Sequence, residues 1–154
     1  MIERQRAIPV PIPIPLASFE REGLAAALNK AGLPASDIQS DTPLFWRFEN
    51  ANNPVPVGFG GLEIFGNQAL MRSVVTLPPV RKRGLGTHFV ALLETEARIR
   101  GAHTIWIATG EAAVGFFARL GYRACERTEA PKPVQTAIAF VHPAASTAMV
   151  KRLD

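Results

Sequence analysis

Three basic residues and two glycines occur together in the segment Arg81-Lys82-Arg83-Gly84-Leu85-Gly86. An apolar run that ends at Pro78 precedes this segment, and a stretch with helical periodicity begins near Gly86. Free backbone N–H groups and the positive end of a helix should therefore meet in one turn. Glycines let the backbone approach phosphate oxygens, and the basic side chains add charge around them. The turn predicts a site for a phosphorylated small molecule. It is not a P-loop or a dinucleotide fingerprint, because it lacks Gly-Lys-Ser/Thr and the fingerprint's first glycine.

Two charged residues interrupt apolar, strand-like runs and are candidates for catalysis and substrate binding. Glu63, within Gly61 to Phe65, could take a proton from a substrate ammonium group, directly or through water, or it could simply face solvent. Arg72 has a rigid fork of N–H donors that suits a substrate carboxylate or an oxyanion. A salt bridge, with Glu63 as one candidate partner, fits Arg72 equally well. Simple strand alternation places Ser73 on the opposite sheet face, so only Arg72 is expected to line the pocket.

The composition fits one domain that covers residues 1–154. The chain has 154 residues, of which 47% are hydrophobic, and this is enough apolar surface for one core. The net charge of +4 and the pI near 9.8 favour an anionic partner. Nucleic acid is not expected, because the basic residues are spread along the chain and the one tight cluster has no interleaved aromatics.

Neither a membrane segment nor a metal site is indicated by the sequence. No run of about 18 uncharged apolar residues and no signal-peptide pattern occur, so we expect a cytoplasmic protein without a membrane partner. The single cysteine, Cys125, cannot form an internal disulfide. The histidines, His88, His103 and His142, show no ligand spacing, and we expect no metal ion.

Turn residues and hydrophobic periodicity divide the chain into helices and strands. Residues 1–16 should form a proline-rich arm or edge strand, because proline fixes an extended backbone without an amide donor. Ser18 is expected to cap a helix that ends at Gly32. The other predicted elements are strands at 44–50, 57–66 and 69–77, a helix at 86–100, a strand at 104–109, a helix at 111–120, a strand at 122–127, a helical turn at 134–140 and a strand at 147–153. This order predicts a mixed sheet with helices on its faces.

The pattern Arg81-x-x-Gly84-x-Gly86, after a strand that ends in proline, resembles the signature of the GNAT N-acetyltransferases. A second landmark of that family, a helix with paired aromatics followed by Leu-Gly-aromatic, is similar to the segment from Ala113 to Tyr122. Within the superfamily, the chain resembles N-acetyltransferases of arsenic-resistance operons and short amino-acid acetyltransferases. The segments that carry this finer likeness are Ala31-Gly32-Leu33-Pro34, Gly61-Leu62-Glu63, Leu70-Met71-Arg72-Ser73, Phe116 to Arg123, Ala130-Pro131, Thr136, Phe140, Pro143 and Ser146.

The resemblance implies an α/β (α+β) fold of the GNAT type, with a mixed, mostly antiparallel central sheet that is splayed after its fourth strand and flanked by helices. It implies acetyl-CoA as co-substrate and no metal. Pantetheine would lie in the splay and pair with the backbone of Val74, Val75 and Thr76, and a backbone N–H near Val75 would donate to the oxyanion. The other cofactor-binding residues that the resemblance implies are Arg81, Lys82, Arg83, Gly84, Leu85, Gly86, Thr87 and Phe116.

The implied function is transfer of an acetyl group from acetyl-CoA to the primary amine of a small, amino-acid-like substrate by direct attack in a ternary complex, with a link to arsenic resistance. Glu63 is the catalytic candidate and Arg72 the substrate-binding candidate. Many relatives protonate the leaving thiolate with a tyrosine where this chain has Phe117, which has no proton to give. A catalytically weak CoA-binding or regulatory module is therefore the alternative, and the sequence leaves a homodimer open.

Overall fold

The computed structural model describes residues 11–50, 53–77 and 84–154. In these ranges seven strands form the sheet: β1 (Ile12–Pro15), β2 (Leu44–Asn50), β3 (Asn53–Phe65), β4 (Gln68–Thr76), β5 (Thr104–Thr109), β6 (Arg123–Cys125) and β7 (Thr147–Arg152). The α-helices of the same ranges are α1 (Arg21–Lys30), α2 (Leu85–Ile99), α3 (Val114–Arg119), α4 (Lys132–Gln135) and α5 (Ile138–Val141). None of these helices has the length and apolar character that crossing a bilayer requires.

The strands form one mixed sheet in the order β1-β2-β3-β4-β5-β7-β6. Neighbouring strands run antiparallel, except β4 and β5, which are parallel. The β4–β5 ladder joins Gln68–Leu70 to Thr104–Trp106 and ends there, whereas β5 continues to pair with β7 as far as Thr109. The two parallel strands therefore separate soon after they start. The predicted fold class, including the splay after the fourth strand, is confirmed.

The proline-rich start of the described chain forms an edge strand. β1 pairs with β2 on one side only, from Ile12 opposite Glu49 to Pro15 opposite Trp46. Proline is tolerated at an edge, because a strand with one neighbour needs only half of its amide donors. The described part of the predicted arm is thus a strand, and residues 1–10 of that arm lie outside the described residues.

Helices cover both faces of the sheet. α2 and α3 pack over a core on one face, where alternate residues of the central strands, such as Leu62 and Met71, are buried. α1 packs on the opposite face through Leu24 and Leu28, and the segment 130–141 forms a separate cluster beside it. The site described below lies between these layers, where β4 and β5 part.

Close contact between α2 and β3 depends on two glycines of β3. A Cβ atom at Gly58 would lie 2.2 Å from Phe89 Cε2, and one at Gly60 would lie 2.7 Å from Leu93 Cδ1. Phe89 also stacks on Phe48, with 4.3 Å between the ring centroids. The missing side chains let α2 lie directly on the sheet, and this packing fixes where its first turn begins.

The predicted N-cap at Ser18 is wrong. A short 3₁₀ turn precedes α1, and the helix begins at Arg21. The carboxylate of Glu20 accepts a hydrogen bond of 2.9 Å from the backbone N–H of Ala17, so an acidic side chain closes this turn instead of the serine hydroxyl. The predicted exit is confirmed, since Gly32 follows the helix with a φ of 73°.

Gly58→Ala is expected to lower the free energy of unfolding by about 1–3 kcal/mol, because the added methyl group would meet Phe89 and the carbonyl of Val75 in a packed core. Denaturant-induced unfolding measures the change. Gly23→Ala is the control, because nothing lies within 4 Å of its Cβ position in α1. That variant should gain roughly 0.5–1 kcal/mol, since alanine is the better helix former. Equal stability of Gly58→Ala and wild type would show that α2 can move away from β3 without cost.

Candidate cofactor and substrate site

A cavity of about 570 Å³ occupies the gap between β4 and β5. Its walls come from these two strands, the first turn of α2, α3 and the loop after α1. The site residues predicted from the sequence that line it are Arg72, Val74, Thr76, Gly84, Leu85, Gly86, Thr87 and Phe116. Glu63 and Val75 are not among the described residues that line the cavity. Arg81, Lys82 and Arg83 lie outside the described residues.

The first turn of α2 forms one end of the cavity. Gly84 is the N-cap residue and has a φ of 74°, a left-handed conformation that glycine adopts without strain. Since glycine has no side chain to cap the first turn, the backbone N–H groups at the positive end of this 15-residue helix are available for an anion. Gly86 lies against the ring of Phe116, because a Cβ atom there would be 3.2 Å from Phe116 Cζ. This geometry suits a phosphate or pyrophosphate.

β4 contains a β-bulge where it lines the cavity. Two of its residues, Ser73 and Val74, stand opposite the single residue Gly60 of β3. Ser73 has a φ of 61°, which is uncommon for a residue other than glycine. The expectation that Ser73 and Arg72 point to opposite faces is wrong. The extra residue breaks the pleat, so both side chains line the cavity and Val75 returns to the face of Arg72.

The strand register also determines which backbone groups of β4 point to the cavity. The N–H of Leu77 donates to the carbonyl of Val57 in β3 at 2.9 Å. Val75, two residues earlier, pairs with Phe59 of β3, so its N–H points to β3 as well. Thr76, between them, directs its N–H to the cavity side. Val75 itself is therefore not oriented to donate to an oxyanion in the cavity.

Arg72 is the centre of a buried ion-pair cluster that includes Asp37 and Glu63. Arg72 Nη1 lies 2.5 Å from Asp37 Oδ2 and 3.0 Å from Glu63 Oε2, and Arg72 Nη2 lies 2.7 Å from Asp37 Oδ1. Arg72 Nε donates to Ser73 Oγ at 3.0 Å. The Arg72 side chain is 1% exposed, and its guanidinium lies 5.4 Å from the ring centroid of Phe45. Every guanidinium nitrogen thus has a partner within the chain, and two carboxylates share one cation.

Asp37 is the member of this cluster that sequence reasoning missed. It lies in the loop between α1 and β2, 35 residues before Arg72, and no local pattern marks it. Its two oxygens hold the guanidinium fork in a bidentate pair, so the loop is fastened to β4. In the described ranges, no group of three or more His, Cys, Asp or Glu side chains is arranged to hold a metal ion.

The cluster shifts the pKa of both of its strand residues. Burial raises the pKa of Glu63, and the charge of Asp37 acts in the same direction, while the hydrogen bond and charge of Arg72 offset part of the shift. For Arg72, burial acts to lower the pKa, but Asp37 and Glu63 outweigh it and the pKa is raised. Arg72 is therefore a permanent cation, and Glu63 takes up a proton more readily than an exposed glutamate.

A second buried polar cluster fixes the end of α3. The hydroxyl of Tyr122 donates to Glu94 Oε2 at 2.8 Å, and Lys151 Nζ lies 3.0 Å from the same oxygen. Lys151 also donates to the carbonyl of Leu120 at 2.9 Å. Phe117 packs edge-on against Tyr122, with 5.6 Å between the ring centroids, and lines the cavity. The aromatic landmark of the sequence thus places this ring on the cavity wall.

Arg72→Met is expected to lower the free energy of unfolding by about 3–5 kcal/mol at neutral pH, because the buried carboxylate of Glu63 and the partly buried one of Asp37 lose their shared cation. The loss should be smaller at about pH 5. Without the cation the pKa of Glu63 in the folded state rises further, and a group with a raised folded-state pKa stabilises the fold at low pH and loses that effect as pH rises. Denaturant unfolding at several pH values measures both effects.

The control for this prediction is Arg123→Met, since the Arg123–Glu129 ion pair is exposed. Its removal should leave the stability nearly unchanged, with little dependence on pH. A loss in Arg72→Met no larger than in this control would mean that the buried cluster contributes nothing to stability.

Similarity to known proteins identifies the family of the chain. Residues 16–122 match the model of the acetyltransferase (GNAT) family. The uncharacterised protein YyaT of Bacillus subtilis (strain 168) is 35% identical over 68 residues, which are 44% of this chain and 46% of that protein. The alignment therefore spans less than half of the Bacillus protein.

Solved structures share the fold. N-acetylglutamate synthase of Neisseria gonorrhoeae, solved with coenzyme A and L-arginine, matches with a TM-score of 0.73 at 18% identity, over 94% of this chain and 34% of the synthase. The same synthase with coenzyme A and N-acetyl-glutamate gives a TM-score of 0.75 at 18% identity, over 94% and 35% of the two chains. Rv2747 of Mycobacterium tuberculosis, solved with CoA, gives 0.74 at 20% identity, over 94% of this chain and 100% of Rv2747. By the family match over most of its length and by its fold, this chain belongs to the acetyltransferase (GNAT) family.

Proposed function

We propose that this protein transfers an acetyl group from acetyl-CoA to the primary amine of a small, amino-acid-like substrate by direct attack in a ternary complex. One observation carries the proposal: the cavity between β4 and β5 has a helix N-terminus with a glycine N-cap at one end and the guanidinium of Arg72, held by Asp37 and Glu63, on its β4 wall. The first feature suits the phosphates of the cofactor, and the second suits a substrate that carries a carboxylate, as an amino acid does.

In this proposal, coenzyme A occupies the length of the cavity. Its pyrophosphate binds the N–H groups of the turn at Gly84–Thr87, and Arg81–Arg83, which precede that turn in the chain, add charge. Pantetheine follows the extended backbone at Val74–Thr76, beyond the point where β5 stops pairing with β4. Phe116 forms the opposite wall. The acetyl group then lies beside Arg72, nearer to the point where the strands part.

The chemistry requires a neutral amine. Its lone pair forms the new C–N bond, the carbonyl pair moves to oxygen, the carbonyl then re-forms, and the C–S bond breaks with its electron pair on sulfur. One proton leaves the substrate nitrogen and one joins the CoA thiolate. Glu63 is the proposed acceptor of the substrate proton, supported by the burial that raises its pKa. Because Glu63 contacts Arg72 and does not line the cavity, the proton has to reach it past Arg72.

Arg72 is the proposed contact for a carboxylate of the substrate. Its guanidinium nitrogens already have partners, so a substrate carboxylate has to share or replace those of Asp37. Such an exchange needs movement of the loop between α1 and β2. If the loop does not move, Arg72 acts on the substrate through the neighbours that it positions.

The alternative is a module that binds acetyl-CoA with little or no catalysis. It is favoured by Phe117, whose buried ring lines the cavity and has no proton for the thiolate. However, a thiol has a pKa of about 8.5, so its thiolate is a tolerable leaving group without an enzymic acid. Release of CoA that depends on an added amine separates the two functions, because a binding module binds acetyl-CoA without releasing CoA.

The amino-acid-like nature of the substrate is supported by the guanidinium of Arg72 on the cavity wall. It is also consistent with the N-acetyl-glutamate held by the Neisseria synthase. The link to arsenic resistance, a cytoplasmic location and a homodimer stay predictions. A screen of CoA release against amino acids and their arsenic and phosphorus analogues tests the substrate class, and the mass of the native particle tests the dimer.

Acetyl-CoA is expected to raise the melting temperature of the protein, because it should bind the folded cavity and not the unfolded chain. At a hundredfold excess over its dissociation constant, the linkage stabilises the fold by about 2.7 kcal/mol. A thermal unfolding series at increasing acetyl-CoA concentration measures the shift. An unchanged melting temperature at saturating acetyl-CoA would rule out both the transferase and the binding module.

The control for this shift is a pair of glycines with positive φ. Gly84→Val and Gly66→Val both force a β-branched residue into the left-handed region where nothing lies within 4 Å, so they share the same backbone strain. Gly84 lines the cavity and Gly66 lies in the turn between β3 and β4. Gly84→Val should lose the acetyl-CoA shift and Gly66→Val should keep it. The opposite result would place the phosphates elsewhere.

Glu63→Gln is expected to lower kcat by about 10²- to 10⁴-fold without weakening acetyl-CoA binding, if Glu63 accepts the substrate proton. The difference from wild type should shrink as pH rises, because the amine then loses its proton to solvent. Glu49→Gln is a matched control, since Glu49 is also a buried strand glutamate paired with an arginine, at 2.5 Å from Arg47. A loss in Glu63→Gln that does not change with pH would assign Glu63 to holding Arg72 in place.

A further inference from the structure

Ser73 has a backbone conformation that residues with a side chain rarely adopt. Among the described residues it is the one non-glycine residue with a positive φ, at 61°. Strained residues of this kind persist when their surroundings hold them, and they cluster at functional sites. Here the bulge turns the serine side chain from the α2 face of the sheet into the cavity. The strained backbone conformation of Ser73 therefore places a hydroxyl on the cavity wall.

The hydroxyl of Ser73 is held on one side and open on the other. Its oxygen accepts a hydrogen bond of 3.0 Å from Arg72 Nε. A hydroxyl has one proton to donate and can accept at its oxygen, so this contact leaves the proton for another partner. Within the described part of the chain, no acceptor takes that proton, while Ser73 is buried and lines the cavity. A donor with no protein acceptor thus faces the space proposed for the acetyl group.

The contact with Arg72 also makes the serine a stronger donor. Hydrogen bonds in a chain polarise one another, and a cation that donates to a hydroxyl oxygen strengthens the bond made by its proton. Arg72 is fixed in turn by the bidentate pair with Asp37 and by Glu63. The polar cluster therefore ends at a single polarised O–H group.

We propose that Ser73 donates this hydrogen bond to the carbonyl oxygen of the bound thioester and holds the oxyanion that forms there during acetyl transfer. The proposal deepens the proposed function and rests on it. As the amine attacks, the carbonyl electron pair moves to the oxygen, which the serine proton stabilises without being transferred. When the pair returns, the C–S bond breaks, CoA leaves as the thiolate, and the serine is unchanged. Arg72 and Asp37 are positioning residues for this hydroxyl.

The orientation of the neighbouring groups supports this role. The N–H of Val75 points to β3, and the N–H of Thr76, which points to the cavity side, lies three residues beyond Ser73 along β4. The side chain of Phe117 has no donor. Ser73 lies on β4 between Arg72 and the backbone proposed for pantetheine, which is the place where the thioester should end.

The test compares wild type with Ser73→Ala, which keeps the backbone strain, and Ser73→Gly, which removes it. Both lack the hydroxyl, so both should lower kcat by about 10²- to 10³-fold, the usual effect of losing one oxyanion donor. Turnover is measured with acetyl-CoA and the best amine of the screen, and acetyl-CoA binding is measured separately and should stay within about twofold. The loss should not depend on pH, unlike that expected of a base. Ser40→Ala, an exposed serine in a loop, is the control.

A second measurement needs no amine. The carbonyl stretching frequency of enzyme-bound acetyl-CoA, labelled at the thioester carbon, should be lower in wild type than in both variants, because a hydrogen bond weakens the C=O bond. Equal frequencies in wild type and variants would overturn the proposal, as would full turnover in either variant or a loss of acetyl-CoA binding that accounts for the lost turnover. If the proposed function itself is wrong, the wild-type protein will show no amine-dependent release of CoA.

Discussion

The parallel ladder between β4 and β5 is short, and the cavity exists because of that. Backbone pairing ends at Leu70 and Trp106, although both strands continue. From there β5 is paired with β7 and β4 with β3, so each strand has one partner and one side turned to the gap. Such a gap suits a ligand that can pair with a strand edge. An extended amide chain such as pantetheine has the groups to do so.

The position of α2 relative to this gap depends on two glycines of β3, which have no side chains to keep the helix away. Gly58 and Gly60 let the helix lie directly on β3, and the helix starts at the mouth of the cavity with Gly84. On the far side of the cavity, the cluster of Glu94, Tyr122 and Lys151 holds the end of α3. Close packing against the two glycines therefore positions the α2 wall of the cavity. The hydrogen-bonded cluster of Glu94, Tyr122 and Lys151 positions the α3 wall.

Much of this arrangement could be predicted from the sequence, because glycine and proline mark the turns and hydrophobic periodicity marks the elements between them. The basic glycine turn and the aromatic helix could be read in the same way. The pairing of Arg72 with Asp37 could not, because it joins residues 35 positions apart and an exposed aspartate in a loop has the same local pattern. The position of Ser73 could not either, since positive φ at a serine is set by the strand register around it and not by its neighbours in sequence.

The bulge in β4 also changes which face of the sheet the following residues of the strand occupy. Arg72 and Val75 are three residues apart, an odd number, yet both lie on the α1 face. In a regular strand, Val75 would turn to the α2 face, and the rest of β4 would be inverted with it. The inserted residue therefore returns Val75 to the apolar cluster on the α1 face. An insertion or deletion of one residue elsewhere in β4 would undo this correction, so length changes in this strand should be tolerated only in compensating pairs, while the neighbouring turn at Gly66 has no such constraint.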